Sequence, residues 1–390
     1  MPVKIIHIIT KLELGGAQQN TIFTVTNLNR SLFHPMLWSG PGGILTEEAE
    51  KTLGPDFKLV PHLFREINPK NDFFSLLELT RMLTAEKKLS ADPIIIHTHS
   101  SKAGILGRIA AWLAGIPLVI HTFHGFGFND FQAVPVRTAY ILAEKITGWV
   151  TDGFIFVSRA NMDKARELGI GNPSQYNLIR SGIDVASFRN RTTNGNATRR
   201  NLGVSEQGKL VTMVACFKPQ KNPVDFVRAA QLVLKEVPEA YFIIAGDGEL
   251  RAEVEAAVQE LGIKDRFKLL GWRRDIPEIL WASDLLVLTS LWEGLPRVFP
   301  QAMAAGLAIV GTRVDGGTEA VVDGENGYLL PPRDYQGIAR RVIELLKDDD
   351  KRAKMGKKGS ELVPAFDIWK MVRDQEALYQ RLLKEKKLWQ

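Results

Sequence analysis

Short apolar runs alternate with amphipathic stretches along the whole chain. Ile5–Ile9, Ile94–Ile96, Leu118–Ile120 and Phe154–Val157 are rich in β-branched or aromatic residues and are bounded by polar or turn residues. Such runs read as strands buried on both faces, as in a parallel sheet. Between them the spacing of apolar positions predicts helices over Ala17–Arg30, Asp72–Leu89, Lys102–Ala114, Val136–Val150 and Arg159–Leu168, with Asp72 capping the second and Ser100 or Ser101 the third. Residues 189–205 are polar, contain two glycines, and read as a linker or an exposed connection. The alternation then resumes. Strands are expected at Leu210–Ala215, Tyr241–Ala245, Phe267–Leu270, Leu285–Thr289 and Leu307–Gly311. Helices are expected at Val224–Glu236, Leu250–Leu261, Ile276–Ala282, Pro296–Ala305 and Tyr335–Leu346, with a final amphipathic helix over Asp367–Leu388.

Two βαβ runs imply an α/β protein of two doubly wound domains, 1–188 and 206–366, joined by 189–205 and followed by a C-terminal helix within 367–390. Ligands of such folds sit beyond the carboxyl ends of the strands, and a cleft between two such domains is the expected active site.

Composition narrows the class. A chain of 390 residues with 45% hydrophobic and 24% charged residues is globular, not disordered or fibrous. A single cysteine, Cys216, excludes an internal disulfide and a multi-cysteine metal centre, and fits a reducing compartment. The net charge of +6 is carried by Lys351–Gln390, which holds eleven basic and five acidic residues. The rest of the chain balances, which argues against nucleic acid as a partner. The longest apolar stretch, Ile109–Ile120, is broken by Gly115 and Pro117 and falls short of the ~20 residues that span a bilayer. The expected location is cytoplasmic, with peripheral contact at the inner face of the cell membrane as a variant.

Four loops carry chemistry. Gly15-Gly16 follows the first strand and opens a helix. Paired glycines let the backbone approach a ligand, and a helix start favours negative charge, although an ordinary tight turn looks the same. All seven histidines lie at or before His124, and His97-x-His99 and His121-x-x-His124 follow successive strands. They read as a metal pair, as hydrogen-bond donors in a polar site, or as structural histidines, and His124 before Gly125 is best placed to reach a ligand. Lys218 and Lys221 leave a strand together and suit a phosphate or diphosphate, or a basic surface loop. The strongest signal is Ser290-Leu-Trp-Glu293-Gly294-Leu295-Pro296-Arg297-Val298, ending at Gln301. It sets a carboxylate beside a helix start whose backbone N–H groups suit sugar hydroxyls and phosphate oxygens.

These residues, in this order, resemble the retaining glycosyltransferases of family 4, with the GT-B fold: two doubly wound Rossmann-like domains facing across a cleft. Gly15 and Gly16 resemble the loop that approaches the donor diphosphate, and His124 the histidine directed at the donor sugar. Ser181-Gly182-Ile183-Asp184 resembles the turn closing the first domain, Lys221 the phosphate-binding lysine, and Gly246-Asp247-Gly248-Glu249 the nucleotide-side loop. Glu293 matches the first acid of the E-x7-E motif, and the final helix resembles one that crosses back to the first domain. Two departures stand out. Gln301 replaces the second acid, which in the family meets the ribose, and Cys216 stands where an arginine is usual, with Lys218 nearby to supply charge.

The resemblance implies transfer from a nucleotide diphosphate sugar, UDP-linked by preference, to a hydroxyl acceptor, a lipid-linked saccharide in polysaccharide assembly. His97-Thr-His99-Ser-Ser-Lys102-Ala-Gly104 resembles bacterial members that build on a lipid diphosphate. The aromatic cluster Phe123, Phe126, Phe128 and Phe131 fits an apolar acceptor or membrane contact, or plain packing under a loop. No cofactor is expected, and with no Asp-x-Asp motif, lysines and a helix dipole take the role of a metal. The competing readings are a sugar-nucleotide epimerase of the same architecture and a histidine–metal hydrolase.

Overall fold

The computed structural model describes residues 2–90, 92–192, 195–205 and 207–388. Residues 193, 194 and 206 of the expected domain junction, and 389–390 of the final segment, lie outside the described residues. The chain forms two compact units. Unit 1 comprises Met1–Gly182 and Ile368–Gln390, and unit 2 Ile183–Asp367.

Unit 1 is a seven-stranded parallel sheet of β1 (Val3–Ile9), β2 (Phe33–Ser39), β3 (Phe57–Leu59), β4 (Ile94–His99), β5 (Leu118–Phe123), β6 (Gly153–Phe156) and β7 (Tyr176–Leu178), in the order β3-β2-β1-β4-β5-β6-β7. Alternation sorts its side chains. Ile6, Ile8, Ile94 and Ile96 face one layer of helices, with Leu79, Leu83 and Ala110. Ile5, Ile95 and Ile120 face the other, where Met371, Val372, Leu378, Tyr379, Leu382 and Leu383 of the helix Ile368–Glu385 pack. That last helix is therefore a structural member of unit 1.

Unit 2 is a six-stranded parallel sheet of β8 (Lys209–Val214), β9 (Ala240–Ala245), β10 (Phe267–Leu269), β11 (Leu285–Leu288), β12 (Ala308–Thr312) and β13 (Gly327–Leu330), ordered β10-β9-β8-β11-β12-β13. In both sheets the chain winds outward one way from the first strand, then returns to its other side. The reversals fall between β1 and β4 and between β8 and β11. Parallel strands leave an opening there beyond their carboxyl ends, because the two flanking connections depart in opposite directions.

Several expectations change. Within the stretch 189–205, the residues from 195 onward are not a detached linker. The helix Gly195–Asn201 packs on Ile276–Ala282, Leu202 and Val204 enter the core of unit 2, and Arg199 donates to the carbonyl of Ala282 and to Asp284. The polar stretch covers an edge of the unit, and the boundary lies at Gly182–Ile183. The helix Pro69–Leu89 is capped by Asn68, not Asp72, because Asn68 accepts from the N–H groups of Lys70 and Asn71 and Pro69 occupies the first turn. Ser100 precedes the helix Ser101–Leu113 but makes no side-chain cap; its hydroxyl turns to Thr10 at 2.7 Å. The helix after Glu293 begins at Val298 rather than Pro296.

Candidate functional site

At the reversal point of unit 2 the loops leaving β8 and β11 are laced together. Leu291 donates to the carbonyl of Gln220 at 2.7 Å, and Thr289 Oγ1 donates to the carbonyls of Lys221 and Asn222. Asn222 sits in the left-handed region (φ 45°), which its short amide side chain tolerates, and so turns Lys221 back over the sheet edge.

Glu293 is buried at the centre of this lacing. Its Oε1 accepts from Lys221 Nζ and, at 2.6 Å, from Ser290 Oγ, while among the described residues Oε2 meets only Gln220 Nε2, at 3.5 Å. Its backbone N–H donates to Asp315, itself at φ 27°, an uncommon conformation for a residue with a side chain. One carboxylate oxygen is thus fixed by a cation and a hydroxyl, and the other keeps acceptor capacity. Gly294, Leu295, Pro296 and Val298 are buried beside it, and Gln301 is half-buried one turn into the helix Val298–Ala305. Arg297, between them, has its guanidinium pushed down to about 10 by burial and stays charged at neutral pH.

Lys218 and Cys216 are half-buried on the same loop as Lys221. Gly246 and Gly248 need positive φ (150° and 154°), and a Cβ at Gly246 would lie 1.9 Å from the carbonyl oxygen of Ala215. That loop is glycine-bound for reasons of fold, and Glu249 at its end is exposed.

In unit 1, Gly15 and Gly16 leave β1 at the reversal point. A Cβ at Gly15 would meet only the movable end of Gln18, so its value is the open space it leaves, not its backbone angle. His124 lies past the end of β5, half-buried. Its Nε2 is 3.1 Å from His99 Nδ1, and His99 Nε2 is 2.9 Å from His7 Nδ1. His97 bonds Tyr379 Oη at 2.6 Å and Thr122 Oγ1 at 2.7 Å, and His121 bonds Thr98 at 2.9 Å. His7, His97, His99 and His121 are buried, and burial holds their basicity down, that of His7 to about 3.

The nitrogens of His7, His97 and His99 come within 4.8 Å of one another. Both nitrogens of His97 and of His99 are already spent on hydrogen bonds, so the trio is arranged as a polar network, not as a ligand set. A small cavity of about 10 Å³ beside them is lined by Asn20, Thr24, His99, Thr122, His124 and Ser181, among others, and both amide atoms of Asn20 are buried there without a partner. A larger cavity of about 450 Å³ opens at the opposite, amino-terminal ends of β1 and β2, beside Lys4, Arg30 and His34, away from every candidate residue.

The aromatic cluster is mainly packing. Phe123 stacks on Phe156 and Phe126 on Phe128 with centroids 5.2 and 4.7 Å apart, while Phe131 is exposed. Gln220, Asp315, His7 and Asn20 escaped sequence reasoning. Each is a common polar residue whose neighbour is distant in sequence, whereas Ser290, three residues before Glu293, stands inside the loop motif itself.

Comparison with known proteins assigns the chain. Residues 14–187 match the family described as Glycosyltransferase Family 4, and 195–362 that described as Glycosyl transferases group 1. An Escherichia coli protein, UDP-Gal:alpha-D-GlcNAc-diphosphoundecaprenol alpha-1,3-galactosyltransferase, is 34% identical over 385 residues, covering 97% of this chain and 96% of the relative. The chain belongs to the family 4 glycosyltransferases. A Bacillus anthracis N-acetyl-alpha-D-glucosaminyl L-malate synthase is 34% identical over 190 residues, covering 48% of the glycosyltransferase described here and 50% of the relative. Among solved structures, Anabaena HepE in complex with UDP and glucose aligns at a TM-score of 0.83 and 20% identity, covering 97% of this chain and all of that one. WaaG, a glycosyltransferase involved in lipopolysaccharide biosynthesis, aligns at 0.77 and 15% identity, covering 96% and 99%. The glycosyltransferase therefore has the GT-B fold, and transfer of a sugar takes precedence over the epimerase and hydrolase readings. Among the described residues, no helix is long and apolar enough to cross a membrane.

Proposed function

We propose that this glycosyltransferase moves a hexose from a UDP-sugar to a lipid-linked saccharide with retention of anomeric configuration. The observation that carries the reading is the divided carboxylate of Glu293: Oε1 held by Lys221 and Ser290, Oε2 left to accept from sugar hydroxyls. Lys221 and Lys218 stabilise the charge that develops on the departing diphosphate, where preorganised electrostatics lowers the barrier most. Gln301 meets the ribose as a neutral donor and acceptor, and Gly294, Leu295, Pro296 and Val298 shape the backbone around the nucleotide. Glu249 lines the nucleotide side. In unit 1, Gly15, Gly16 and His124 are the residues we assign to substrate. The bond from the anomeric carbon to the diphosphate breaks, a bond to the acceptor hydroxyl forms, and a diphosphate oxygen takes the hydroxyl proton. No metal or enzyme base is required.

The Escherichia coli relative, whose name carries UDP-Gal and a GlcNAc-diphosphoundecaprenol, supplies the substrate pair for the test. Incubation with UDP-galactose and GlcNAc-diphosphoundecaprenol is expected to give an α-linked disaccharide on the lipid, read by NMR of the released glycan. UDP release without acceptor, or a β-linked product, would overturn the reading.

A lipid-borne acceptor calls for contact with a membrane surface. On the helix Val134–Gly148 and just past it, Leu142, Ile146 and Trp149 recur on one solvent-facing stripe with Lys145, Trp149 being 86% exposed, and Trp112 and Leu113 end another helix with their side chains exposed. An apolar stripe with basic residues fits the headgroup boundary of an anionic bilayer. Flotation with phosphatidylglycerol vesicles, lost in Trp149→Ser/Ile146→Ser, tests that contact.

A further inference from the structure

Glu293 is held by its backbone as well as by its carboxylate. The strand order β8-β11-β12 sets the loop that carries it between two others. On the β8 side, Lys221 and Gln220 reach its carboxylate. On the β12 side, Thr312 Oγ1 donates to the carbonyl of Ser290, and the Glu293 N–H donates to Asp315 Oδ2 at 3.2 Å. Each flanking loop holds a non-glycine residue in the left-handed region, Asn222 at φ 45° and Asp315 at φ 27°. Such residues persist where the surrounding structure over-determines them, and they gather at functional sites.

Asp315 stands at a corner suited to glycine. The Gly317 N–H donates to the carbonyl of Val314 at 2.7 Å, which closes a four-residue turn over 314–317. The second corner, Gly316, has φ −70° and ψ 2°, while the first, Asp315, has positive φ. That combination defines the turn class that takes glycine at its first corner. Glycines follow at 316 and 317, yet the first corner is aspartate. Aspartate tolerates the left-handed region better than most residues, but glycine enters it without steric cost. Thr318 Oγ1 donates to the backbone carbonyl of Asp315, a bond that any residue there would supply. The turn alone therefore gives no reason for a carboxylate. The bond to Glu293 does, because a carboxylate accepts from an N–H about twice as strongly as a neutral group.

We propose that Asp315 is a positioning residue for Glu293, retained where glycine would fit better because its carboxylate pins the Glu293 backbone. With the N–H fixed by Asp315 and Oε1 by Lys221 and Ser290, Glu293 is held at both ends. Its Oε2 then keeps one direction toward the donor sugar. The proposal rests on the reading that Glu293 meets that sugar, and it assigns Asp315 an effect on the sugar half of the donor and none on the nucleotide half.

Two substitutions in the full chain separate the turn from the acceptor. Asp315→Gly suits the corner and removes the acceptor; Asp315→Asn tolerates the corner and keeps an acceptor in its amide oxygen. Asp315→Gly is expected to keep the parent's circular dichroism and to bind UDP within about twofold of the parent. Its kcat/KM for UDP-galactose, with GlcNAc-diphosphoundecaprenol as acceptor, is expected to fall about tenfold, the lower end of what a hydrogen bond to a charged group is worth. Asp315→Asn is expected to recover most of that loss. Full activity in Asp315→Gly would assign the residue to the turn alone and overturn the proposal. Equal losses in both variants would make charge, and not the hold on Glu293, the active property, and would overturn it too. So would a loss of UDP affinity as large as the loss in kcat/KM.

Hydrogen exchange of the Glu293 amide tests the hold without substrate. It is expected to quicken about tenfold in Asp315→Gly and to stay slow in Asp315→Asn; equal exchange in all three proteins overturns the proposal. If Glu293→Ala binds UDP-galactose as tightly as the parent, the assignment of Glu293 to the sugar fails, and the exchange comparison alone decides whether Asp315 holds that backbone.

Discussion

Lys221 and Ser290 converge on one oxygen of Glu293. The ammonium group balances a buried carboxylate before any ligand arrives, and the hydroxyl fixes the carboxylate plane so that the second oxygen has a defined direction. Lys221→Met removes a cation from where the diphosphate is assigned. It should lower kcat by about 10²–10³-fold, the usual cost of one electrostatic donor at a developing charge. Steady-state kinetics with saturating acceptor checks this. Near-normal turnover would detach Lys221 from the leaving group.

Glu293→Gln keeps the shape but removes the charge that Lys221 and Ser290 are arranged around. Hydrogen bonds to a charged group are worth about 1.5–3 kcal/mol, which corresponds to roughly a 10- to 100-fold loss in kcat/KM for the donor. Circular dichroism should be unchanged. A loss confined to thermal stability would mark Glu293 as structural.

Gln301→Glu should hold or strengthen UDP binding in calorimetry. The new carboxylate enters close to the start of the helix Val298–Ala305, where negative charge is favoured, and accepts from hydroxyls more strongly than an amide. A drop of more than about tenfold in affinity would exceed 1.4 kcal/mol and show that Gln301 does not face the ribose.

Acid should weaken unit 1 selectively. His7 titrates near 6.5 when unfolded and about 3 when buried, so between those values the unfolded chain binds the extra proton and stability falls as pH falls. The slope from one such group is about 1.4 kcal/mol per pH unit below 6.5. His97, His99 and His121 shift the same way. Hydrogen exchange of β4 and β5 at pH 7.5 and 5.5 should reveal the loss there, with β8 and β11 far less affected. Equal protection at both pH values would contradict it.

Arg108 and Glu144 pair at 2.5 Å with almost no exposure to water. Breaking the pair with Glu144→Leu strands a buried guanidinium and should cost about 3–5 kcal/mol in denaturant titration. Replacing both, as Arg108→Met/Glu144→Leu, should recover most of that, since two desolvated charges give way to apolar packing. Failure to recover would show that the pair does more than neutralise itself.

The strands legible in the sequence were those whose apolar runs were uninterrupted, such as Ile94–Ile96 and Leu118–Ile120. β2 was hidden by His34 and Pro35. Pro35 is tolerated because the neighbouring β3 pairs only from Leu37 onward, so the ladder on that side needs no N–H from it. β3 and β7, three residues each, are too short for a period to show. Glu293, Lys221 and His124 could be read because each sits in a local pattern of loop residues. Gln220 beside Glu293, and His7 behind His124, could not, because strand pairing and not sequence spacing brings them together. The polar stretch 189–205 misled for a related reason: few apolar residues suffice to fasten a segment when Leu202 and Val204 are both buried.

Because Tyr379 and its neighbours on Ile368–Glu385 pack on the sheet that includes Val3, unit 1 is assembled from two segments that flank unit 2 in the chain. All of unit 2 leaves the ribosome while the layer over Ile5, Ile95 and Ile120 is still missing. That layer supplies six large buried side chains, at roughly 1.5–3 kcal/mol each, as much as an entire domain's margin of stability. The nascent protein therefore owns a finished second lobe well before its first can close, and a release factor, a nonsense codon or a trimming protease acting upstream of Ile368 would leave the first lobe with one flank of its sheet bare.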